Sequence, residues 1–258
     1  MMVDAPMVWG AAALLVLFRL GGLFLIAPFF ASRLLPMQVR GALALLLTVV
    51  ITPIAMTTPG AAVRVDLTSL ATELLVGFGI GFGAAMLVGA ADMAGDILGT
   101  QIGLSGASVL DPLTGQGSSA MAQLLGFTVV TLLLVTGGHY VMIESLAGSY
   151  AWVPLGSAPD LYAGTASLVG LGSKLFATGL QFAAPVIGTV AVGYVALGVL
   201  ARTAPQLNVL AVSFPLQIAL GLLVLGAALP LLATHFASWP VHIDEMGGVF
   251  VRSLTGGR

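Results

Sequence analysis

Six apolar runs follow one another along this chain, each close to or beyond the roughly 20 residues that a helix needs to cross a bilayer. They are Met7–Phe30, Val39–Thr57, Leu67–Ala91, Ala122–Ala147, Leu161–Leu200 and Val212–His235. Runs of this length predict helices. The fifth exceeds one straight span, and Pro185 in its middle predicts a long or broken helix. Only 7% of the 258 residues are charged and mean hydropathy is +1.10. Soluble domains carry about a quarter charged residues, so no large soluble domain fits here. The fold class is therefore all-α, a polytopic helical membrane protein with about six apolar helical segments.

Several function classes fall away on composition. A net charge of −2 is too small to point to nucleic acid. With no cysteine there is no disulfide framework, thiolate metal site or cysteine nucleophile. Nothing basic precedes Met7, so the first run reads as a retained helix instead of a cleaved signal. Loop charge ties: Arg33, Arg40 and Arg202 fall on one side, Arg64, Arg252 and Arg258 on the other. Small residues are dense in the third run, from Gly77, Gly79, Gly81 and Gly83 to Ala91, a pattern that packs helices backbone to backbone. The reading favours packing within the chain.

Between the third and fourth runs lies Asp92–Gln123, rich in glycine and hydroxyl residues but carrying Ile102, Leu104, Val109, Leu110 and Leu113. Asp111-Pro112 with Gly115 and Gly117 reads as a turn cluster. The stretch is too broken to span lipid and too apolar for a free tether. It predicts a packed, re-entrant or lumen-lining loop.

Chemistry at specific residues is thinly supported. Gly103-Leu-Ser-Gly106 matches a rhomboid-protease pattern, with His139 or His235 as conceivable bases for Ser105, but short Gly- and Ser-rich motifs arise easily. Asp92 and Asp96, four apart, share one helical face and are candidates to line an aqueous path. They lack a ligand set, so no metal site, cofactor or catalytic residue is assigned. Arg19, Glu73, Glu144 and Lys174 stand in or near apolar runs, where structural pairing is the expected use. His139 reads as a hydrogen-bonded packing residue, and Met86 with Met93 as core. The connector Arg202–Pro215 is unusually apolar; Pro205 and Asn208 suit a turn, Phe214-Pro215 a helix start, and burial against a partner follows as an expectation. A secondary transporter with helices broken at Pro53 or Pro185 is an alternative class.

In order and spacing, several of these pieces resemble the FliR family of type III secretion export gates, called SctT in injectisomes. They are Arg19-Leu-Gly-Gly-Leu-Phe-Leu-Ile-Ala-Pro-Phe-Phe30, Pro36-Met-Gln-Val-Arg40, Gln101-Ile-Gly-Leu-Ser105, Asp111-Pro-Leu-Thr-Gly-Gln116, Gly137-Gly-His139 through Pro154-Leu-Gly156, and Thr203-Ala-Pro-Gln-Leu-Asn-Val209 with Phe214-Pro215. The resemblance implies bent hairpins in a helical hetero-oligomer, with residues 1–160 FliP-like and 161–258 a FliQ-like hairpin and short tail. It implies FliP-like and FliQ-like subunits, FlhB-like and FlhA-like export proteins, unfolded polypeptide substrates, and a place in the bacterial inner membrane at the flagellar basal body, with helices partly above the bilayer. It also implies a pore plug over about 106–119, carried by Leu104, Ser105, Gly106, Val109, Leu110, Asp111, Pro112, Leu113, Gly115 and Gly117. Pro205, Asn208, Phe214 and Pro215 become partner contacts. Gln217 stands where relatives often carry a basic residue, and the tail after His235 is too short for a fused FlhB-like domain. The overall pattern looks more flagellar than injectisome.

Overall fold

The computed structural model describes residues 5–32, 35–103, 119–157, 161–203, 209–237 and 247–254. Its helices are α1 Ala5–Ile26, α2 Met37–Thr57, α3 Leu67–Gln101, α4 Ala120–Val135, α5 Gly138–Gly148, α6 Leu161–Thr203 and α7 Val209–Ala237, with a 3-10 turn at Ser149–Ala151. A short helix, α8, covers 247–253, and no strand occurs among the described residues. Among the described residues four helices are long and apolar enough to cross a membrane, or five if α4 and α5 form one bent span. The chain is a polytopic helical membrane protein.

Three boundaries differ from the sequence expectation. The third run does not stop at Ala91: α3 continues to Gln101, because Leu87, Ala91, Ala94, Leu98 and Ile102 extend one buried face at helical spacing. Glycine and aspartate in that turn-like composition obscured the period. Gly103, at φ +82°, then ends the helix in the left-handed region. The fourth run is two helices, broken at Gly137 (φ +78°) and bent by 67°. Finally, α7 begins at Val209, so Phe214-Pro215 lie inside it and do not start it. Neither Pro53 nor Pro185 breaks its helix: α2 and α6 run through them, which removes the broken helices on which the transporter alternative relied.

The chain divides into two units: Met1–Met86, Leu133–Ser173 and Trp239–Arg258, and Leu87–Leu132 with Lys174–Ser238. Helices α3, α4 and α6 each supply residues to both. In the first unit α1 crosses α3 backbone against backbone. A methyl on Gly77 would collide with the Arg19 carbonyl, and one on Gly22 with the Leu74 carbonyl. Leu15, Leu20, Leu23 and Ile80 fill the space beside this crossing. At the head of α3, Asp66 caps the helix: the Ser69 N–H and hydroxyl both donate to its Oδ1 at 2.6 Å. These bonds, with Arg64 nearby, hold the Asp66 carboxyl below its ordinary range.

The second unit uses the same device. Gly95 leaves room for the backbone of Ala122 on α4, Gly179 of α6 sits on Ala90 and Met93, Gly193 faces Leu220 of α7, and Gly221 accommodates Ile102. Each of these helix pairs meets at a glycine, the usual way apolar helices approach where lipid offers no hydrophobic penalty for separation.

Candidate functional site

Two arrangements stand out, one in each unit. In the first, Arg19 is fully buried within α1 and its Nε donates to Glu73 Oε2 of α3 at 2.6 Å. The guanidinium also donates to Ser149 Oγ at 2.9 Å and to the Val153 carbonyl at 3.0 Å, and lies 3.9 Å from the Tyr150 ring centroid. The other Glu73 oxygen accepts the Gly156 N–H at 2.9 Å, while the Ser149 hydroxyl donates to the Leu146 carbonyl. One ion pair thus ties two helices to the 149–156 turn. That turn in turn holds the α2–α3 connector, since the Ala62 N–H donates to Leu155 and Gly156 (φ +70°) leaves space for the Ala62 carbonyl. A fork of five donors suits this geometry where a lysine would not.

Glu144 and Lys174, grouped with this pair in the sequence reading, stand on exposed faces. His139 packs against Tyr140 (3.9 Å between ring centroids) and Phe29 (6.2 Å), but its Nδ1 is buried with no partner among the described residues. It is a packing residue. Among the described residues no cluster of three His, Cys, Asp or Glu is placed to hold a metal.

In the second unit Ser119 is fastened to the last turns of α3. The Ser119 N–H donates to Asp96 Oδ1 at 2.9 Å, its hydroxyl reaches the Gly95 carbonyl at 3.2 Å, and the same hydroxyl accepts the Ala122 N–H at 3.1 Å as the N-cap of α4. Asp92, one turn earlier, is half-buried with its carboxylate against Gly126 of α4, where any side chain would collide with it. Asp96 is exposed and borders an open cleft of about 310 Å³ with Ile97, Thr100 and Gln101. Leu104, Ser105, Gly106, Val109, Leu110, Asp111, Pro112, Leu113, Gly115 and Gly117 lie outside the described residues. So do Pro205 and Asn208; Pro215 is exposed on α7. The Ser119 cap escaped sequence reading, although Ser followed by an apolar helix is an N-cap signal.

Large apolar surface is left uncovered. Of the most apolar stretch of α2 and of α6 only 22% is buried, against 56% for α3. Leu45, Leu46, Val49 and Val50 on α2, and Val169, Phe176, Val192 and Val195 on α6, are exposed.

Apolar helices seated on glycine, two of them tied by the buried Arg19–Glu73 pair, define a polytopic membrane protein. Its family is settled by sequence: the chain matches the bacterial export proteins, family 1, over residues 11–240, and belongs to that family. It is 32% identical to the flagellar biosynthetic protein FliR of Pectobacterium carotovorum subsp. carotovorum over 83% of this chain and 82% of that one. Identity is 31% to FliR of Escherichia coli (strain K12), covering 84% of each chain, and 31% to FliR of Aquifex aeolicus (strain VF5), covering 92% and 91%.

Proposed function

We propose that this chain is a subunit of a flagellar-type export gate in the bacterial inner membrane, at the flagellar basal body. With FliP-like and FliQ-like chains it forms the channel for unfolded polypeptides, and FlhB-like and FlhA-like proteins join at the cytoplasmic side. Residues 1–160 form the FliP-like region and 161–258 the FliQ-like hairpin and tail. The supporting observation is the uncovered face of α6. A methyl on Gly170, Gly172, Gly188 or Gly198 would meet nothing within 4 Å, whereas one on Gly164, Gly179 or Gly193 of the same helix would meet a packed neighbour. Lipid gains nothing from an open glycine, whereas a neighbouring helix uses it to approach.

The plug is part of the same proposal. Leu104, Val109, Leu110 and Leu113 close the channel at rest, at a few kcal/mol by the roughly 0.8 kcal/mol per buried methylene, and an entering chain displaces them. Asp92 and Asp96 line the path at its root, and the Asp96–Ser119 bond anchors the far end of the segment to α3. Pro205, Asn208, Phe214 and Pro215 face a partner.

Copurification with FliP-like and FliQ-like chains tests the assembly; a chain that purifies alone in mild detergent refutes it. The plug is tested by deleting residues 108–118 and keeping Ser119, so that the α4 cap survives. The assembled complex should then conduct ions in planar bilayers. Background conductance with assembly intact sinks the plug.

A further inference from the structure

The residues after α7 carry an element that neither apolar length nor motif revealed. In α8 and at Leu254 just after it, the side chains of Phe250, Val251 and Leu254 are 2–3% exposed, and Gly247 is buried. Positions 247, 250, 251 and 254 fall at i, i+3, i+4 and i+7, one face of a helix. The opposite face, with Val249 and Arg252, is exposed.

That buried face meets a seat whose shape depends on missing side chains. A methyl on Gly79 of α3 would collide with the Phe250 ring. A methyl on Gly164 of α6 would lie 2.5 Å from Leu254 Cδ2 and 3.5 Å from Phe250 Cε2. At the other end, a methyl on Gly247 would stand 3.1 Å from Ser145 Oγ of α5 and 3.7 Å from Ile80 Cγ2. The Arg252 guanidinium lies 5.0 Å from the Trp152 ring centroid, adding a contact to the 149–156 turn. All of these residues belong to the first unit. A seven-residue helix is also far below the roughly 12–15 residues at which an isolated helix becomes even marginal in water. It exists because it is docked.

We infer that α8 is a strap acting within its own chain. It clasps α3, α5 and the first turns of α6 into one unit, with Phe250 as the key and Gly79 and Gly164 as the slot. Its occupant is this chain's own 247–254 segment. The glycine stripe of α3 therefore serves two partners on two faces: Gly77 and Gly81 seat α1, and Gly79 seats the strap.

The test uses the full chain in native membranes and does not depend on the export reading. Because the protein has no cysteine, a Ser145→Cys/Gly247→Cys pair can be oxidised cleanly. The 3.1 Å runs from a Gly247 Cβ to Ser145 Oγ, the atom a cysteine sulfur would replace, which is close enough for two sulfurs to bond at about 2.0 Å. A strap within the chain gives a monomer whose cysteines no longer react with a polyethylene glycol maleimide until reduced. A disulfide-linked dimer, or unchanged labelling after oxidation, overturns the inference. A second measurement needs no cysteine. Gly79→Ala lowers the unfolding temperature, and it lowers it less in a Phe250→Ala background, since the methyl then enters the space the ring has left. If Gly79→Ala costs the same in both backgrounds, Phe250 does not occupy the slot.

Discussion

Glu73→Gln removes one charge of the buried pair while keeping its volume, so it isolates the electrostatics of the α1–α3 crossing. Arg19 and Glu73 are 0% and 2% exposed, and solvent cannot take up the arginine charge once its partner is neutral. Leaving one member of a buried pair unpaired costs about 3–5 kcal/mol. The amide has one acceptor oxygen where the carboxylate used both, so either the Arg19 Nε–H or the Gly156 N–H also loses its bond. At about 2–4 °C per kcal/mol for chains of this size, thermal unfolding in mild detergent, followed by helical circular dichroism, should fall by about 6–20 °C. Arg19→Met leaves the Glu73 carboxylate stranded and costs a similar amount. The double variant strands no charge; its main loss is the bond to the Val153 carbonyl, about 1–3 kcal/mol. It should therefore be less damaged than either single variant, with a coupling of at least about 3 kcal/mol. A double variant as poor as the sum of the singles, or a Glu73→Gln protein melting within about 2 °C of the parent, refutes this account of the crossing.

Glycine seating makes a contrast. Gly77→Ala places a methyl into the Arg19 carbonyl and should cost about 1–3 kcal/mol by overpacking, while Gly10→Ala, with nothing within 4 Å, should leave the unfolding temperature of the isolated chain unchanged; equal effects would deny the crossing. Gly126→Ala drives a methyl into the Asp92 carboxylate and should loosen α4 from α3, read as faster amide exchange in both helices, whereas Gly226→Ala, also open, should not. The Asp66 cap has a defined pH direction. Its carboxyl is held below the ordinary value of 3.8, so its contribution is complete above that value and disappears as pH falls through the lowered one. Unfolding curves of the parent and of Asp66→Ala should therefore differ at neutral pH and converge in strong acid; a gap that persists there would show that the carboxylate is not the cap.

The apolar runs alone determined that this chain is helical and membrane-embedded, because backbone groups in lipid have few ways to be satisfied. The order of short motifs along it was enough to point to the family. Which charges pair was not legible: Arg19 and Glu73 are 54 residues apart, and Glu144 and Lys174 looked equally suited to pairing until the fold left them exposed. The glycine stripe of α3 announced close packing, yet only the tertiary structure assigns Gly77 to α1 and Gly79 to the strap. Local composition concealed the end of α3, where glycine and aspartate imitate a turn while Ala94, Leu98 and Ile102 keep the helical face buried. The α8 strap was hidden for a related reason. Seven helical residues are too few for periodicity to register, and their structure comes from a seat built by α3, α5 and α6, far away in sequence.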